Sequence, residues 1–480
     1  MELDEGFAIA AAPNSGAAQN GRVLAIKKKF TSLHISEDAT LLFGYCQGSG
    51  RTPYFCSADF GTPDKPVYRC SCPSRQFPCK HCVGLLFAKA LKQNFVVAAV
   101  PEDLKSKRDK AAANSEKKKA ASTKPRSVNK SALVKKIQAQ LNGLDLLERL
   151  LRDVVRLGIG NMNAKTALEM EDQARQLGDQ FLPGAQAALR SYTRLFKNDC
   201  GDDLPTSGRE AVFSEAFDQL GRLHSLIGKG RSYLRARLED PELTAETETA
   251  IAAWLGHAWQ LRELVEAGLV DRDVELIQLS FQTQDDPARQ EIVDTGVWMN
   301  LGNGNIHLTQ NYRPYRSLKH VKSDDSFFQI AIVKELCRYP GNWNSRIRWD
   351  GMLTRPVELA DLKQVAKYAK HDYLPLVKEI KGHIKAPLAD KHPIVAIHVS
   401  RAGKVGDEFV FEDATGARLV LSDRGWVDEP RSSYLLQLMP QRMLQEQVFV
   451  VRFRNDLDAK RLFVKPLAIV TASEVIRLTL

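Results

Sequence analysis

The sequence predicts a multidomain α+β protein with three folded parts, and three observations support this class. Three cysteines and one histidine fall within residues 70–81, which is typical of a small metal-stabilised module. Leucines recur at helical spacing through residues 131–270, which predicts an α-helical middle domain. Short β-type runs separated by turn residues dominate residues 271–480, which predicts an α+β C-terminal domain ending in an antiparallel sheet or barrel.

Length and composition agree with a chain of several domains. The 480 residues suffice for about three domains of ~150 residues, and 44% hydrophobic residues supply ordinary cores. No apolar run approaches the ~20 residues that a transmembrane helix needs, so we expect no membrane partner. The expected parts are a disordered leader at 1–20, a metal-binding domain at 21–104, a basic disordered tether at 105–130, an α-helical domain at 131–270 and an α+β domain at 271–480.

The stretch from Cys70 to His81 has the composition of a metal site. Cys70 and Cys72 are two residues apart, so their side chains point to one face of an extended segment, and Cys79 and His81 repeat this spacing after six residues. Three thiolates and one imidazole form the tetrahedral ligand set that Zn²⁺ favours in closed structural sites. Apolar residues at helical spacing follow His81, so the second pair is expected at the start of a helix. We therefore predict one Zn²⁺ held by all four side chains.

The pattern C-x-C-x6-C-x-H followed by an apolar helix resembles the SWIM zinc finger, and the run from Cys70 to Ala88 resembles its bacterial form. The resemblance covers about residues 40–95, and it implies that residues 21–104 are a SWIM zinc-finger domain. It also implies a binding module for DNA or for other proteins, and not a catalyst. Bacterial relatives are often encoded beside MoxR-type AAA+ ATPases, so the resemblance suggests such an ATPase as a partner.

Three further cysteines lie near the predicted ligands. Cys82 follows His81 directly, and Cys46 and Cys56 fall among the short β-type runs before the cluster. Each is a candidate for a competing or second metal ligand. We favour buried thiols for all three, because free cysteine is commonly buried, and neither a partner histidine nor a C-x2-C spacing accompanies Cys46 and Cys56.

The positive charge of the chain is concentrated in one segment. Residues 105–136 hold twelve Lys and Arg against Asp109 and Glu116, an excess of ten that equals the net charge of +10 of the whole chain. The segment has no aromatic residue, so we expect it to be a disordered, charge-extended tether. It is either a solvated linker or an arm that binds nucleic-acid phosphates, and both interpretations stay open. The candidate nucleic-acid contacts are Lys117, Lys118, Lys119, Lys124, Arg126 and Lys130.

Helical patterns are predicted at 163–200, 208–238 and 243–268, after a first helix that Ser131 caps. A stretch within this region, Gly158 to Thr166, has some features of a phosphate-binding loop. It lacks the first glycine and the glycine before the lysine, and a helix precedes it where a strand is required. We therefore predict no nucleotide-binding motif.

The C-terminal part is predicted to contain a strand at 274–281, helices at 327–336 and 362–369, and closely spaced strands from 394 onward. Its histidines, among them His371 and His398, show no spacing typical of a metal pair, and no nucleophile motif occurs. The aromatic and basic run at 311–320 is either a binding loop or an exposed turn, and we favour the turn. The sequence therefore predicts no enzyme and no catalytic residue.

Two functions fit these observations. The first is a cytoplasmic zinc-dependent binding protein that engages nucleic acid, most simply DNA, through the finger and the tether. The second keeps the finger as a protein-docking adaptor, with the other domains as a scaffold in a larger assembly that includes a MoxR-type ATPase. The cytoplasmic assignment rests on eight cysteines without a secretory signal, which indicates a reducing compartment.

Overall fold

The chain divides into two compact units, Met1–Ser127 and Val128–Leu480. The computed structural model describes residues 3–13, 15–48, 52–61, 66–74, 78–108, 130–197, 204, 212–318, 321, 323–341, 343–426 and 429–479. Within these ranges, none of the helices combines the length and apolar character that crossing a bilayer requires.

A five-stranded sheet forms the centre of the N-terminal unit. The strands lie in the order β4-β3-β2-β1-β5, and all neighbours are antiparallel except β1 and β5. Helix α3 (Lys80–Ala90) packs on the sheet and buries its apolar residues in one core with Leu42 and Cys56. The strands are β1 (Phe30–Ile35), β2 (Leu41–Cys46), β3 (Tyr54–Asp59), β4 (Val67–Cys70) and β5 (Val96–Val97).

Two helices occupy most of residues 1–20, so the prediction of a disordered leader is wrong. Helix α1 spans Glu5–Ala10 and helix α2 spans Ser15–Ile26. The Asp4 side chain caps α1 by accepting a hydrogen bond from the Phe7 amide at 2.7 Å. Ala8 and Ala25 are fully buried in the same core as α3. Alanine favours helices, and its small side chain permits close packing, whereas the prediction required large apolar residues for burial.

The first residues of the predicted tether belong to the folded unit. Residues 102–108 are helical, and Leu104 is buried against Leu41 and Phe43. The Arg108 guanidinium binds the Asp59 carboxylate with an Nη2–Oδ1 distance of 2.8 Å. The predicted boundary at 105 is therefore too early, because composition alone does not reveal this long-range ion pair. The remaining tether, residues 109–129, lies outside the described residues.

Helices α4 to α9 form the first part of the C-terminal unit, and α4 to α8 share one apolar core. The predicted long helix at 243–268 is wrong. Gly256 adopts a positive φ of 71°, which an α-helix does not accommodate, and only the short helices α8 and α9 remain on either side. The helices are α4 (Lys130–Leu157), α5 (Ala164–Asp179), α6 (Pro183–Arg194), α7 (Phe213–Glu239), α8 (Ile251–Trp254) and α9 (Leu261–Glu266).

The next strands form a sheet in the order β10-β9-β6-β7-β8, and β11 pairs with the free part of β9. A parallel bridge between Leu308 and Arg346 joins β8 to the residue before β10, so the sheet curls into a barrel, here called the first barrel. Its strands are β6 (Val270–Asp286), β7 (Glu291–Asn300), β8 (Ile306–Pro314), β9 (Ile330–Arg338), β10 (Ile347–Arg348) and β11 (Leu353–Arg355).

Strand β9 lies where the sequence predicts a helix at 327–336. Ile330 packs on one face of the strand, in the core shared with the next sheet, whereas Ala331 and Val333 pack in the core of the first barrel. A strand buried on both faces carries apolar residues on both sides, and this pattern is easily mistaken for helical periodicity.

Helices α10 (Leu359–Tyr368) and α11 (Tyr373–Ile384) lead into a final sheet ordered β14-β13-β12-β15-β16-β17. Strand β14 also pairs with β16 in parallel, which closes β12 to β16 into the second barrel. Helix α12 (Ser432–Leu436) lies between β14 and β15 in the chain. The strands are β12 (Ile394–Val405), β13 (Glu408–Glu412), β14 (Arg418–Leu421), β15 (Gln445–Asp456), β16 (Arg461–Val470) and β17 (Val475–Arg477).

Both barrels have the same strand order. If the five barrel strands are numbered along the chain, each barrel runs 1-2-3-5-4-1, with strands 3 and 5 parallel and the remaining pairs antiparallel. This is the strand order of OB-fold barrels. The predicted fold class is thus confirmed, with a small Cys/His module, a helical middle region and a C-terminal sheet region.

Candidate zinc centre

The first ligand pair is held at the edge of the N-terminal sheet. Cys70 is the last residue of β4 and lies opposite Cys56 of β3. Ser71 continues the attachment, because its amide donates to the Phe55 carbonyl at 2.9 Å and its hydroxyl accepts from the Phe55 amide at 2.9 Å. Cys72 therefore follows a residue that two hydrogen bonds hold against Phe55 of β3.

The second pair sits at the start of α3. Cys79 is the N-cap residue of this helix, and His81 lies in its first turn. The Cys79 side chain makes no capping hydrogen bond, so its sulfur remains available as a ligand. The positive end of the helix dipole favours a thiolate at this position.

The four side chains converge on one point. The Cys70, Cys72 and Cys79 sulfurs and a ring nitrogen of His81 all lie within 4.8 Å of one another. The Cys70 and Cys79 sulfurs are each 3.8 Å from His81 Nδ1. Zinc–sulfur bonds of about 2.3 Å place the corners of a tetrahedron about 3.8 Å apart, so the donor set fits a zinc ion.

Residues 54–90 match the family model of the SWIM zinc finger. The chain carries a SWIM zinc finger. No curated protein and no solved structure matches the chain significantly. Together with the three sulfurs and one nitrogen at tetrahedral spacing, the SWIM match identifies Zn²⁺ as the ion of this centre.

Hydrogen bonding between the ligand thiols divides their proton affinities. The contact with Cys70 is the main cause that holds the pKa of Cys79 well below its usual range, and the same contact raises the pKa of Cys70 well above it. Three thiolates and Zn²⁺ carry a net charge of −1, and the exposed Lys80 and the half-buried Arg69 lie next to ligands in the chain. Arg75, which lies between Cys72 and Cys79 in the chain, is outside the described residues.

The other three thiols of the SWIM finger are buried. Cys82 lies 3.9 Å from the Cys79 sulfur, but its own sulfur donates to the Arg69 carbonyl at 3.3 Å, away from the four-ligand cluster. Cys56 donates to the Gly44 carbonyl at 3.6 Å. Cys46 donates to the Gln47 carbonyl at 3.8 Å. The burial and the hydrogen bonds of these three cysteines agree with buried thiols that pack in the core.

Five of the six candidate nucleic-acid contacts, Lys117, Lys118, Lys119, Lys124 and Arg126, lie outside the described residues. The sixth, Lys130, is the first residue of α4. Its ammonium group pairs with the exposed Glu242 carboxylate at 2.9 Å. An exposed pair of this kind is weak, so Lys130 stays available for a phosphate.

The fold also joins residues that the sequence keeps apart. The rings of His371 and His398 stack with centroids 4.6 Å apart, because Lys370 bridges to Ile397 of β12. Basic side chains of α7 and of the C-terminal end of α11 gather at one cleft, with Arg222 and Lys381 among them. Residues this far apart in the chain give no local pattern, so sequence analysis could not find either arrangement.

Proposed function

We propose that the SWIM finger and the basic segment that follows it bind nucleic acid, with DNA as the first candidate. The observation that carries this proposal is the position of the charge. The whole positive excess of the chain lies at 105–136, directly after the zinc-stabilised unit. A cationic segment fixed at one end to a folded module suits the sequence-independent binding of phosphates.

The zinc-bearing side of the finger supports the proposal. Burial raises the pKa of Cys46 to about 11, Cys79 adds to the rise, and Lys80 and Lys29 oppose it. These effects require both ammonium groups to lie near Cys46, and Cys79 also lies near it. Lys29 and Lys80 are exposed, so they offer phosphate contacts beside the zinc centre.

One aromatic side chain lies beside the zinc centre. The Tyr54 ring is 5.0 Å from the His81 ring, whereas Tyr45, which is 45% exposed, lies on the opposite face of the sheet. A partly exposed aromatic ring offers a stacking surface for unpaired bases. In this proposal the finger contributes base contacts, whereas the tether, which lacks aromatic residues, contributes phosphate contacts only.

The zinc ion has a structural role in this proposal. When bound, it cross-links the end of β4 to the start of α3 and supplies no chemical step. The protein acts as a binding protein and not as an enzyme. We expect the protein in the cytoplasm, because thiolate ligation needs reduced cysteines.

The test is a salt titration of binding to duplex DNA by the full-length protein. With half of the twelve cations engaged, the slope of log K against log salt is expected near about −5, at ~0.9 per phosphate contact. Changing Lys117, Lys118 and Lys119 to Ala should flatten the slope by up to about three units. A control triple change of exposed lysines of the C-terminal unit, Lys334, Lys363 and Lys367 to Ala, removes equal charge and should leave the slope intact.

Absence of binding at about 50 mM salt, or equal slopes for both triple variants, would refute the proposal. The alternative is that the finger docks a protein in a larger assembly, such as one with a MoxR-type ATPase. In that case the triple lysine change leaves partner binding intact, whereas Cys72→Ser abolishes it.

A further inference from the structure

A cleft in the C-terminal unit lies between α7, the C-terminal end of α11 with the segment that follows it, and the loop from β15 to β16. It encloses about 520 Å³. The helical wall contributes Phe217, Asp218 and Arg222, and the opposite wall contributes Lys381, Lys385 and Lys391. The floor is formed by Asn455 and Leu457 at the end of β15.

The charge of this cleft is strongly positive, with four cations against the single carboxylate of Asp218. Lys381 and Lys385 are exposed. Across the described ranges, no carboxylate lies at ion-pair distance from any of the four cations. Nε of Arg222 is buried with no hydrogen-bond partner there. Cations that face each other without a carboxylate partner are suited to an anionic ligand that runs between them.

The walls of the cleft are fastened to each other. The Ser214 hydroxyl at the start of α7 donates to the Asp458 carboxylate in the β15–β16 loop. The Trp254 indole N–H donates to the Leu388 carbonyl at 3.1 Å, and Leu388 packs into the helical core. Lys391 Nζ donates to the Ile384 carbonyl at 2.7 Å, which fixes the segment after α11. The site is therefore largely preformed, which lowers the entropy cost of binding.

An exposed aromatic ring stands at the rim. Phe217 is 65% exposed, and Leu457 on the floor is 46% exposed. A solvated phenyl ring beside four cations is the combination that proteins use for single strands, in which bases stack on the ring and phosphates follow the cations. A duplex, whose bases are already stacked, gains nothing from Phe217.

The position of the cleft on the second barrel agrees with this chemistry. The loop between the fourth and fifth barrel strands, together with the loop between the first and second, borders the oligonucleotide site of OB-fold barrels. Here the fourth-to-fifth loop, residues 457–460, forms one edge of the cleft. The Arg461–Glu408 pair, with an Nη1–Oε1 distance of 2.6 Å, joins this end of β16 to the start of β13.

We propose that this cleft binds a single strand of DNA or RNA, independently of the SWIM finger. Lys381, Lys385, Lys391 and Arg222 contact successive phosphates, and Phe217 stacks on a base. The site lies entirely within Val128–Leu480, so it does not depend on the proposed role of the finger and tether.

The probe is a fluorescent oligothymidylate of about 15 nucleotides, titrated by anisotropy with the full-length Lys117/Lys118/Lys119→Ala variant as background. In this background, Lys381→Glu with Lys385→Glu should weaken binding by about tenfold or more. The matched control is Lys363→Glu with Lys367→Glu in α10, which has the same spacing, exposure and charge change and lies away from the cleft. It should retain the background affinity.

Cross-linking locates the strand. An oligonucleotide with one 5-iodouracil, irradiated with the wild-type protein, should attach to the tryptic peptide 210–222, which contains Phe217. Phe217→Leu should remove this attachment, and so should the double change of Lys381 and Lys385 to Glu. The Lys117/Lys118/Lys119→Ala variant should keep it, whether or not the tether binds nucleic acid. Equal affinities for both glutamate variants would overturn the proposal, and so would absence of the 210–222 product. The proposal would also be overturned if only polyglutamate displaced the oligonucleotide.

Discussion

Cys72 illustrates how far single residues can be predicted in this chain. It lies outside regular secondary structure, yet its role follows from its spacing to Cys70, Cys79 and His81, because all four ligands lie within twelve residues. Arg222 carries no such signal, since the other cations of its cleft, Lys381, Lys385 and Lys391, lie far along the chain at the end of α11 and after it. Local metal sites are therefore readable from sequence, and sites assembled by tertiary packing are not.

Cys72→Ser should lower the zinc content of the purified protein from one ion per chain to nearly none. A hydroxyl is a poor substitute for a thiolate, and the ion supplies much of the folding free energy of so small a module. Elemental analysis of the full-length protein is the measurement. The matched control is Cys46→Ser, which changes a buried thiol of the same unit that is not a ligand and should keep its zinc. Equal zinc in both variants would contradict the assigned ligand set.

His307 should make the C-terminal unit less stable in mild acid. It is 4% exposed in β8, and burial lowers its pKa to about 4. The unfolded chain, with a histidine pKa of about 6.5, binds the proton first. The free energy of unfolding therefore has its full value with respect to His307 above about pH 6.5. It declines as the pH falls towards 4, by as much as about 3 kcal/mol.

All six tryptophans lie between residues 254 and 426, so tryptophan fluorescence during urea unfolding follows the C-terminal unit alone. His307→Gln should flatten the loss of stability between pH 6.5 and 4. His224→Gln, at an exposed position of α7, serves as the control and should keep the wild-type profile. A profile that His307→Gln leaves unchanged would exclude this histidine as the cause.

At the scale of elements, the sequence predicted most strands and the long helices of the middle region, and its errors have separate physical causes. The helices α1 and α2 were missed because alanines supply their buried face. Strand β9 was predicted as a helix because both its faces are buried. The helix predicted at 243–268 is interrupted by the backbone conformation of one glycine. In each case a tertiary contact or a single dihedral angle outweighs the local pattern.

Gly44→Ala should destabilise the pairing of β1 with β2. A Cβ at this position would lie 2.2 Å from the Ser32 carbonyl oxygen, at the place where β1 shifts register. Relieving such an overlap costs about 1–3 kcal/mol. The urea concentration at which zinc is released should therefore fall. Gly403→Ala, in a strand of the second barrel with no atom within 4 Å of its Cβ, should leave zinc release unchanged.

At the scale of the whole molecule, the chain behaves as two units joined through residues 109–129. The segment 105–130 contains ten Lys and Arg, and composition predicted its role as a connection more easily than its exact start. The start was misplaced because Arg108 is held by Asp59, 49 positions earlier. Nor could composition reveal that the C-terminal part repeats one barrel topology twice, because strand order is a property of long-range pairing.

Limited trypsin digestion should cut first between residues 109 and 129. Two stable fragments should result, a smaller one that retains zinc and a larger one that contains all the tryptophans. Gel electrophoresis combined with zinc analysis and fluorescence of each fragment is the measurement. Early cuts inside either unit, with this stretch intact, would contradict the division.

The two barrels differ in how they are closed. The second has two paired positions, Val420 with Phe463 and Leu421 with Val464, whereas the first has one bridge at Leu308. There the Arg346 guanidinium lies over the Tyr312 ring at 5.0 Å and over the Tyr339 ring at 4.6 Å. Side-chain contacts thus supplement a single backbone contact, in which the Leu308 amide donates to the Ser345 carbonyl at 3.0 Å. With less backbone pairing around it, this amide should exchange its hydrogen with solvent faster than that of Ser422, which donates to Val464. The Arg346 side chain therefore helps to hold the first barrel closed, whereas the second barrel is closed by backbone pairing at two positions.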